Sequence, residues 1–171
     1  LLHIGTNDAS DSDATVQEVE QVLESIDRYA ESANSVVLVV LARIIDRVCH
    51  ENDCVSQELR GVVANFNNKL EQMAASRVAN GDKLVVVDMY EGAGLHYWRE
   101  YFPKPTGETG EPDFADVVHP NLQGYNKMAN VWFAELDRMF TELQSTSDEV
   151  APDTYFAEQP EALSNSSTAT F

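Results

Sequence analysis

Apolar positions along the chain alternate between short continuous runs and longer stretches with helical spacing. The continuous runs cover residues 1–4, 35–44 and 83–89. The two longer runs are rich in β-branched residues, which is typical of parallel strands buried on both faces. Strands that alternate with helices predict an α/β fold, in the form of a three-layer α/β/α sandwich around a parallel sheet.

The helical stretches carry one apolar stripe each. The stripes comprise Val16, Val19, Leu23, Ile26 and Ala30, then Leu59, Val62, Val63, Phe66, Leu70 and Met73, then Met128, Trp132, Leu136, Phe140 and Leu143. Thr15 and Glu18 have the spacing of a capping box, which predicts the start of the first helix. Gly81 predicts the end of the second helix, and Asn121 is well placed to cap the third.

The periodic pattern ends after Leu143. Residues 144–171 are rich in Ser, Thr, Pro and acidic residues without any period, which predicts a tail or linker. We therefore predict one domain over residues 1–143 and a tail over residues 144–171. Asn165 begins an N-S-S triplet that would accept a glycan in a eukaryotic secretory pathway, but this pattern is also frequent by chance.

The charge is strongly acidic, with 29 acidic against 11 basic residues and a formal net charge of −18. Repulsion of this size disfavours nucleic acid or an anionic membrane as partner. No apolar run approaches the roughly 20 residues that a helix needs to cross a bilayer. The acidity fits a salty or extracellular environment, where counterions screen the repulsion, although an ordinary acidic surface explains it as well.

The two cysteines of the chain, Cys49 and Cys54, enclose only "HEND". This spacing favours a small disulfide loop, which would indicate an oxidising compartment. Free thiols are the alternative. A metal site is disfavoured, because zinc needs about four ligands and few lie near.

An acid and a histidine stand together at the entrance to the third predicted helix. Asp116 lies three residues before His119, close enough in a tight turn to accept a hydrogen bond from the imidazole and fix the tautomer of a general base. Pro120 follows directly and makes the turn rigid. An isolated match of this kind also describes a surface acid and a histidine at a helix entrance.

A second polar segment, "GTND", follows the first predicted strand. Gly5 permits unusual backbone angles and a close approach by a ligand. The side-chain amide of Asn7 can stabilise a developing oxyanion, a contact worth about 2.7–4 kcal/mol in acyl transfer. Asp8 can tie down the loop through backbone N–H groups. The alternative for all four residues is an ordinary turn.

Together these segments resemble the SGNH (GDSL-type) hydrolase superfamily. "LLHIGTND" is similar to its third sequence block, and "DVVHPNLQGYNKMANVW" is similar to its fifth. The second match and "GDKLVVVDM" most resemble the secreted carbohydrate esterases of family 3, the acetyl xylan esterase type. The resemblance covers roughly residues 1–140. It implies a flavodoxin-like sheet of order 2-1-3-4-5, of which the three predicted strands would be the contiguous 3-4-5 portion.

The resemblance also implies the roles of the polar residues. His119 would be the general base, Asp116 its orienting acid and Asn7 an oxyanion-hole donor, with Gly5 and Asp8 shaping the block. The implied chemistry is hydrolysis through a serine acyl-enzyme, without a metal or another cofactor. The implied substrate is an acetylated polysaccharide or another ester, and the implied location is extracellular.

The nucleophile is where the chain departs from the family pattern. The family's serine lies in a "GDS" motif after the first strand, and a glycine after the second strand supplies another oxyanion donor; neither block occurs here. Ser10 and Ser12 follow the third block and are poor candidates. We therefore expect the sequence to be the C-terminal portion of a longer domain, with the serine on a missing N-terminal segment of the same or a separate chain.

Two further interpretations stay open at the level of sequence. Tyr97 and Trp98 belong to an aromatic stretch that suits sugar rings, and the alternative is a short helix that packs its rings on the core. A catalytically inactive glycan-binding or structural subunit of an extracellular assembly is the alternative to an esterase. The missing serine favours it, and the retained Asp116, His119 and Asn7 oppose it. Lysophospholipase or thioesterase activity on the same scaffold is also open.

Overall fold

The computed structural model describes residues 1–9, 12–47, 56–97, 107 and 110–148. Within them the elements are α1 (Asp13–Ser32), β1 (Val39–Ala42), α2 (Ser56–Ala79), β2 (Leu84–Val87) and α3 (Leu122–Asp148). The predicted α/β class is confirmed. In these ranges no helix has the length and apolar character required to span a bilayer.

The sheet is parallel, as predicted. β1 and β2 pair with Val39 opposite Leu84 and Ala42 opposite Val87. Leu2 joins the other side of β1 through a parallel bridge, in which its N–H donates to the Val40 carbonyl and its carbonyl accepts the Ala42 N–H, both over 2.8 Å. The three apolar runs therefore lie side by side in sequence order.

The strands are shorter than the apolar runs. Val36 and Leu38, inside the second run, are exposed and lie outside β1. Pairing begins only where the Val39 N–H donates to the Lys83 carbonyl over 2.9 Å, directly before β2. The preceding residues have no strand beside them in the described structure, so hydrophobicity alone overestimates the strand.

Helices α1 and α2 cover one face of the sheet. The cluster on this face comprises Val16, Val19, Leu23, Leu41, Ile44, Val63, Phe66, Leu70, Ala74 and Leu84, with Leu2, Ile4, Val39 and Val86 packed against it. Val40, Ala42 and Val87 point to the opposite face, because side chains alternate along a strand, and they are buried too. The paired strands are therefore buried on both faces, as their composition predicts.

The start of α1 differs from the prediction. Ser12 is the N-cap, and its hydroxyl accepts the Ala14 N–H over 3.1 Å. Thr15 does not cap the helix, because its hydroxyl donates instead to the carbonyl of Asp8 over 3.1 Å. The predicted capping box at Thr15 and Glu18 was therefore wrong. Buried Thr15 serves to tie the turn after residues 1–4 to the first helix.

The end of α2 is the one predicted. Gly81 has φ +105°, a conformation that favours glycine. Its N–H donates to the Val78 carbonyl over 3.0 Å, and the Asp82 N–H donates to the Arg77 carbonyl over 3.1 Å. These two bonds form a Schellman motif, which satisfies carbonyls that the helix end leaves open.

Helix α3 continues to Asp148, beyond Leu143. Phe140, which we assigned to the apolar stripe, is exposed, whereas Met139 is buried. At about 100° per residue, Met139 falls about 20° from Met128 around the helix and Phe140 about 120° away. The chain divides into two compact units, Leu1–Leu136 and Asp137–Phe171.

Candidate active site

His119 lies in a tight hairpin that leads into α3, here called the His119 hairpin (residues 113–121). The Ala115 N–H donates to the His119 carbonyl over 2.9 Å, and the Asn121 N–H donates to the Asp113 carbonyl over 2.8 Å. These bonds pair the two arms and leave residues 116–118 as the connecting turn. The position of the histidine backbone is thus fixed relative to the first arm.

Asp116 and His119 are in direct contact. The imidazole Nδ1 donates to Asp116 Oδ2 over 2.8 Å. The other carboxylate oxygen accepts the Val118 N–H over 2.9 Å and the His119 N–H over 2.8 Å. The Val118 N–H first, then the His119 N–H and imidazole, lower the pKa of Asp116 from its usual 3.8 to about 2. The carboxyl group is therefore ionised at neutral pH.

The tautomer of the imidazole follows from this contact. An ionised carboxylate can only accept hydrogen bonds, so the neutral imidazole carries its proton on Nδ1 and leaves Nε2 as an acceptor. The His119 side chain is 67% exposed. Within the described structure the hydrogen bond of its ring runs from Nδ1 to Asp116, which leaves Nε2 to accept a proton from a substrate. The arrangement can perform general base chemistry.

Asn121 connects the hairpin to α3. Its Oδ1 accepts the Gly124 N–H over 3.0 Å, which is the N-cap bond that the sequence predicts. Its Nδ2 donates to the Pro112 carbonyl over 2.7 Å. A side chain at Gly124 would collide with the Asp113 carbonyl. Gly124 was not predicted, although a glycine in the first turn of a helix is a signal, because its low propensity needs a reason.

The second candidate segment forms a turn, here called the Asn7 turn (residues 5–8). The Gly5 carbonyl accepts the Asp8 N–H over 3.1 Å and the Ala9 N–H over 2.8 Å. Gly5 has φ +105°, and a Cβ there would lie 2.7 Å from Phe66 Cζ. Asn7 and Asp8 are exposed. The structure therefore explains the glycine, while the role of the Asn7 amide stays a prediction.

A loop after β1 supports the Asn7 turn. Arg47 Nη2 donates to the Thr6 carbonyl over 2.6 Å. Fully buried Asn67 of α2 fixes the same loop, because its Oδ1 accepts the Ile44 N–H over 2.8 Å and its Nδ2 donates to the Ile44 carbonyl over 2.9 Å. Neither residue was predicted. For Asn67 the signal is a polar residue directly after Phe66 of the apolar stripe.

Contacts of Tyr97 connect this loop to the His119 hairpin. The Tyr97 hydroxyl accepts the Asp46 N–H over 3.3 Å and donates to the Tyr90 carbonyl over 3.1 Å. The Tyr97 ring lies 5.2 Å from that of Phe114. Phe114 in turn bridges to Pro120, the neighbour of His119. A continuous series of contacts thus runs from the Asn7 turn to the hairpin along the carboxyl ends of the strands.

The remaining candidate residues from the sequence lie partly within and partly outside the described structure. Tyr97 lies outside the helices of the described structure, its hydroxyl and ring make the contacts given above, and its role toward a sugar stays a prediction. Ser12 is the N-cap of α1. Trp98, Cys49, Cys54, Ser10 and Asn165 lie outside the described residues. Across the described ranges, His, Cys, Asp and Glu side chains do not form a group of three or more that would hold a metal ion.

A shallow concavity of about 450 Å³ lies at the first turn of α3. It is lined by Asn121, Leu122, Gln123 and Asn126. Leu122 is 78% exposed. The concavity begins two residues after His119, because Asn121 belongs to both its lining and the His119 hairpin.

A comparison with protein families agrees with the geometry. The model of the GDSL-like lipase/acylhydrolase family matches residues 1–132, a span that contains both the Asn7 turn and the His119 hairpin. No curated protein and no solved structure matches the chain. The resemblance to the SGNH (GDSL-type) superfamily is confirmed at this level, and the chain belongs to the GDSL-like lipase/acylhydrolase family.

Proposed function

We propose that this chain carries the acid–base part of a serine esterase site, and that the enzyme deacetylates a polysaccharide in the manner of acetyl xylan esterases. The observation that carries the proposal is the 2.8 Å bond from His119 Nδ1 to Asp116 Oδ2. This bond fixes the tautomer in which Nε2 can accept a proton, which is the requirement for a general base.

In each half of the proposed reaction His119 accepts one proton from the attacking group and donates it to the leaving group. Nε2 takes the proton of the serine hydroxyl as its oxygen attacks the acetyl carbonyl, and the imidazolium returns that proton to the leaving sugar oxygen. Water then attacks the acyl-enzyme by the same route and releases acetate. Asp116 stabilises the imidazolium without taking the proton, and the amide of Asn7 donates to the oxyanion.

We place the serine nucleophile outside this sequence, on the same or a separate chain. The support is that no "GDS" block occurs among the 171 residues. The exposure of the imidazole agrees with this, because a neighbouring segment that carried the serine would cover Nε2. Ser12 is a poor substitute, since its hydroxyl caps α1.

The concavity at the start of α3 supports a carbohydrate as the alcohol part of the ester. The exposed carboxamides of Gln123 and Asn126 offer both donors and acceptors, which match sugar hydroxyls. A net charge of −18 favours a neutral substrate over a polyanion. The same charge fits the extracellular location that we propose for a polysaccharide deacetylase.

The proposal is tested on the product of the complete gene with a fluorophosphonate probe and acetylated xylan. We expect the probe to label one serine outside this sequence and acetate to be released from the xylan, with both signals lost after heat denaturation. Mass spectrometry of the labelled peptide identifies the serine. Labelling of Ser10 or Ser12 would contradict the placement of the nucleophile, and absence of both signals would contradict the esterase.

The missing serine block favours a second candidate, a catalytically inactive glycan-binding subunit. The same experiment separates the two functions. An inactive subunit would be retained on immobilised acetylated xylan without any label or released acetate. Release of acetate from aryl acetates but not from xylan would keep the esterase and reject the polysaccharide.

A further inference from the structure

The first arm of the His119 hairpin contains a carboxylate that the proposed reaction does not use. Asp113 is fully buried. Its Oδ2 accepts the His96 N–H over 2.6 Å and lies 2.5 Å from Lys127 Nζ. Lys127 also donates to the Gly94 carbonyl over 3.1 Å. One carboxylate oxygen thus joins the loop after β2, the hairpin and α3.

This carboxylate depends on few partners. Oδ1 of Asp113 is buried and, in the described structure, has no hydrogen-bond partner. A buried charge is tolerated when an opposite charge and hydrogen bonds compensate it. Here Lys127 supplies the charge, and the His96 imidazole lies farther away, with Nδ1 3.7 Å from Oδ2. Removal of Lys127 would leave the carboxylate with one peptide N–H as its hydrogen-bond donor.

The backbone of Asp113 passes this constraint to the histidine. The Asp113 carbonyl accepts the Asn121 N–H, and the paired arms place His119 two residues before that bond. The side-chain bonds of Asp113 are formed on the buried side of the arm, whereas His119 is exposed on the other arm. Movement of the first arm therefore moves the imidazole relative to the serine and the ester with which it would react.

We propose that Asp113, held by Lys127, is a positioning residue for His119. The carboxylate fixes the first arm of the hairpin against the loop after β2 and α3, and so holds Asp116 and the imidazole in the contact that sets the tautomer. The consequence for catalysis rests on the proposed esterase function. The consequence for the imidazole does not depend on it.

The test compares variants of the complete gene product whose histidines carry ¹⁵N labels. His119 signals are assigned by their loss in His119→Gln. In the wild type we expect one tautomer, with the proton on Nδ1. In Lys127→Met we expect the two ring nitrogens of His119 to average between tautomers, and kcat on an aryl acetate to fall on the order of 10- to 100-fold with little change in KM.

A double variant and a control separate positioning from general loss of stability. Asp113→Asn with Lys127→Met removes both charges and keeps an acceptor for the His96 N–H, so we expect the single tautomer and most of kcat to return. Arg138→Met removes an exposed pair with Glu142, and we expect it to change neither signal. A merely structural role of Lys127 would lower the unfolding midpoint without changing the tautomer.

The proposal is overturned if folded Lys127→Met shows the wild-type imidazole signals. Should Lys127→Met fail to fold, Asp113→Ala gives the same readout, because it removes the anchoring carboxylate together with the acceptor of the His96 N–H, while Lys127 is 26% exposed and can turn to solvent. Unchanged His119 signals in that variant overturn the proposal as well. A wild type that shows the expected tautomer but no ester hydrolysis would reject the esterase. The positioning role would then be decided by the ¹⁵N signals of His119 in the variants.

Discussion

The His119 hairpin and the Asn7 turn belong to one candidate site but are held in opposite ways. Each bond of the Asp116 carboxylate comes from a residue at most three positions away. The Asn7 turn is held by distant residues, through Arg47 on the Thr6 carbonyl and the Phe66 ring below Gly5. The bonds within the acid–base pair are therefore local, and Asp113 anchors the hairpin that carries them, whereas the placement of the amide depends on the packing of the whole sheet.

The largest expected effect follows from removal of the acid–base pair. In the complete gene product, His119→Gln should lower kcat by on the order of 10⁶, and Asp116→Asn by about 10⁴, because the second change loses the tautomer rather than the base. The measurement is steady-state hydrolysis of an aryl acetate. The folded state should persist in both, as judged by circular dichroism, because the Asp116 and His119 side chains are exposed.

A matched control for the asparagine substitution is Asp137→Asn, at an exposed position on α3. It should leave kcat and KM as in the wild type. If Asp116→Asn kept more than a tenth of the wild-type kcat, the hairpin would not be the acid–base element. The comparison with the Asn7 turn would then no longer concern two parts of one site.

Removal of the amide from the Asn7 turn should have a smaller effect. Asn7→Ala should lower kcat by about 10²–10³, equivalent to about 2.7–4 kcal/mol of transition-state stabilisation, with KM nearly unchanged. Exposed Asn130 of α3 offers the control Asn130→Ala, which should not change kcat. Equal kcat in the two variants would show that Asn7 is part of an ordinary turn.

The dependence of the Asn7 turn on packing is tested by a pair of glycine substitutions with opposite expected signs. Gly5→Ala places a Cβ against fully buried Phe66 at φ +105° and should lower the free energy of unfolding by about 2–4 kcal/mol. Gly61→Ala, within α2 and with open space around its Cβ, should raise it by about 0.5–1 kcal/mol. Urea denaturation of both variants measures the difference.

The opposite result would also be informative. If Gly5→Ala cost no more stability than Gly61→Ala, Phe66 would yield to the new methyl group without strain. The Asn7 turn would then be as locally determined as the hairpin. Activity of Gly5→Ala, measured where the variant is fully folded, should fall as in Asn7→Ala, because Gly5→Ala displaces the amide that Asn7→Ala removes.

The same contrast explains how much the sequence could predict. The pairing of Asp116 with His119 and the cap at Asn121 could be predicted because each bond spans three residues, although the spacing of Asp116 and His119 alone also fits an ordinary surface turn. Gly81 likewise marks its own helix end. Arg47 and Thr6 are 41 residues apart, and no local pattern predicts their bond.

Tertiary context also overrides local patterns in the elements themselves. Thr15 has the residues of a capping box around it, but its hydroxyl is used by the Asp8 carbonyl, so the cap moves to Ser12. Val36 is hydrophobic enough for a strand, yet it has no neighbour to pair with in the described structure. The position of the helix cap and the start of the strand are therefore set by residues from distant parts of the chain.

The smallest expected effect concerns the acid dependence of the His119 hairpin. The pKa of Asp116 is about 2 in the folded protein, below its usual 3.8, so its contribution to stability is fully present above pH 4 and is lost as the pH falls toward 2. The difference in unfolding free energy between wild type and Asp116→Asn should therefore narrow between pH 4 and pH 2. Asn130→Ala changes no ionisable group, so its difference from the wild type should not vary with pH. A difference for Asp116→Asn that did not narrow would mean that the Val118 and His119 N–H groups do not hold the carboxylate in solution, and the order of the turn would then rest on the bonds between the two arms and on Asp113.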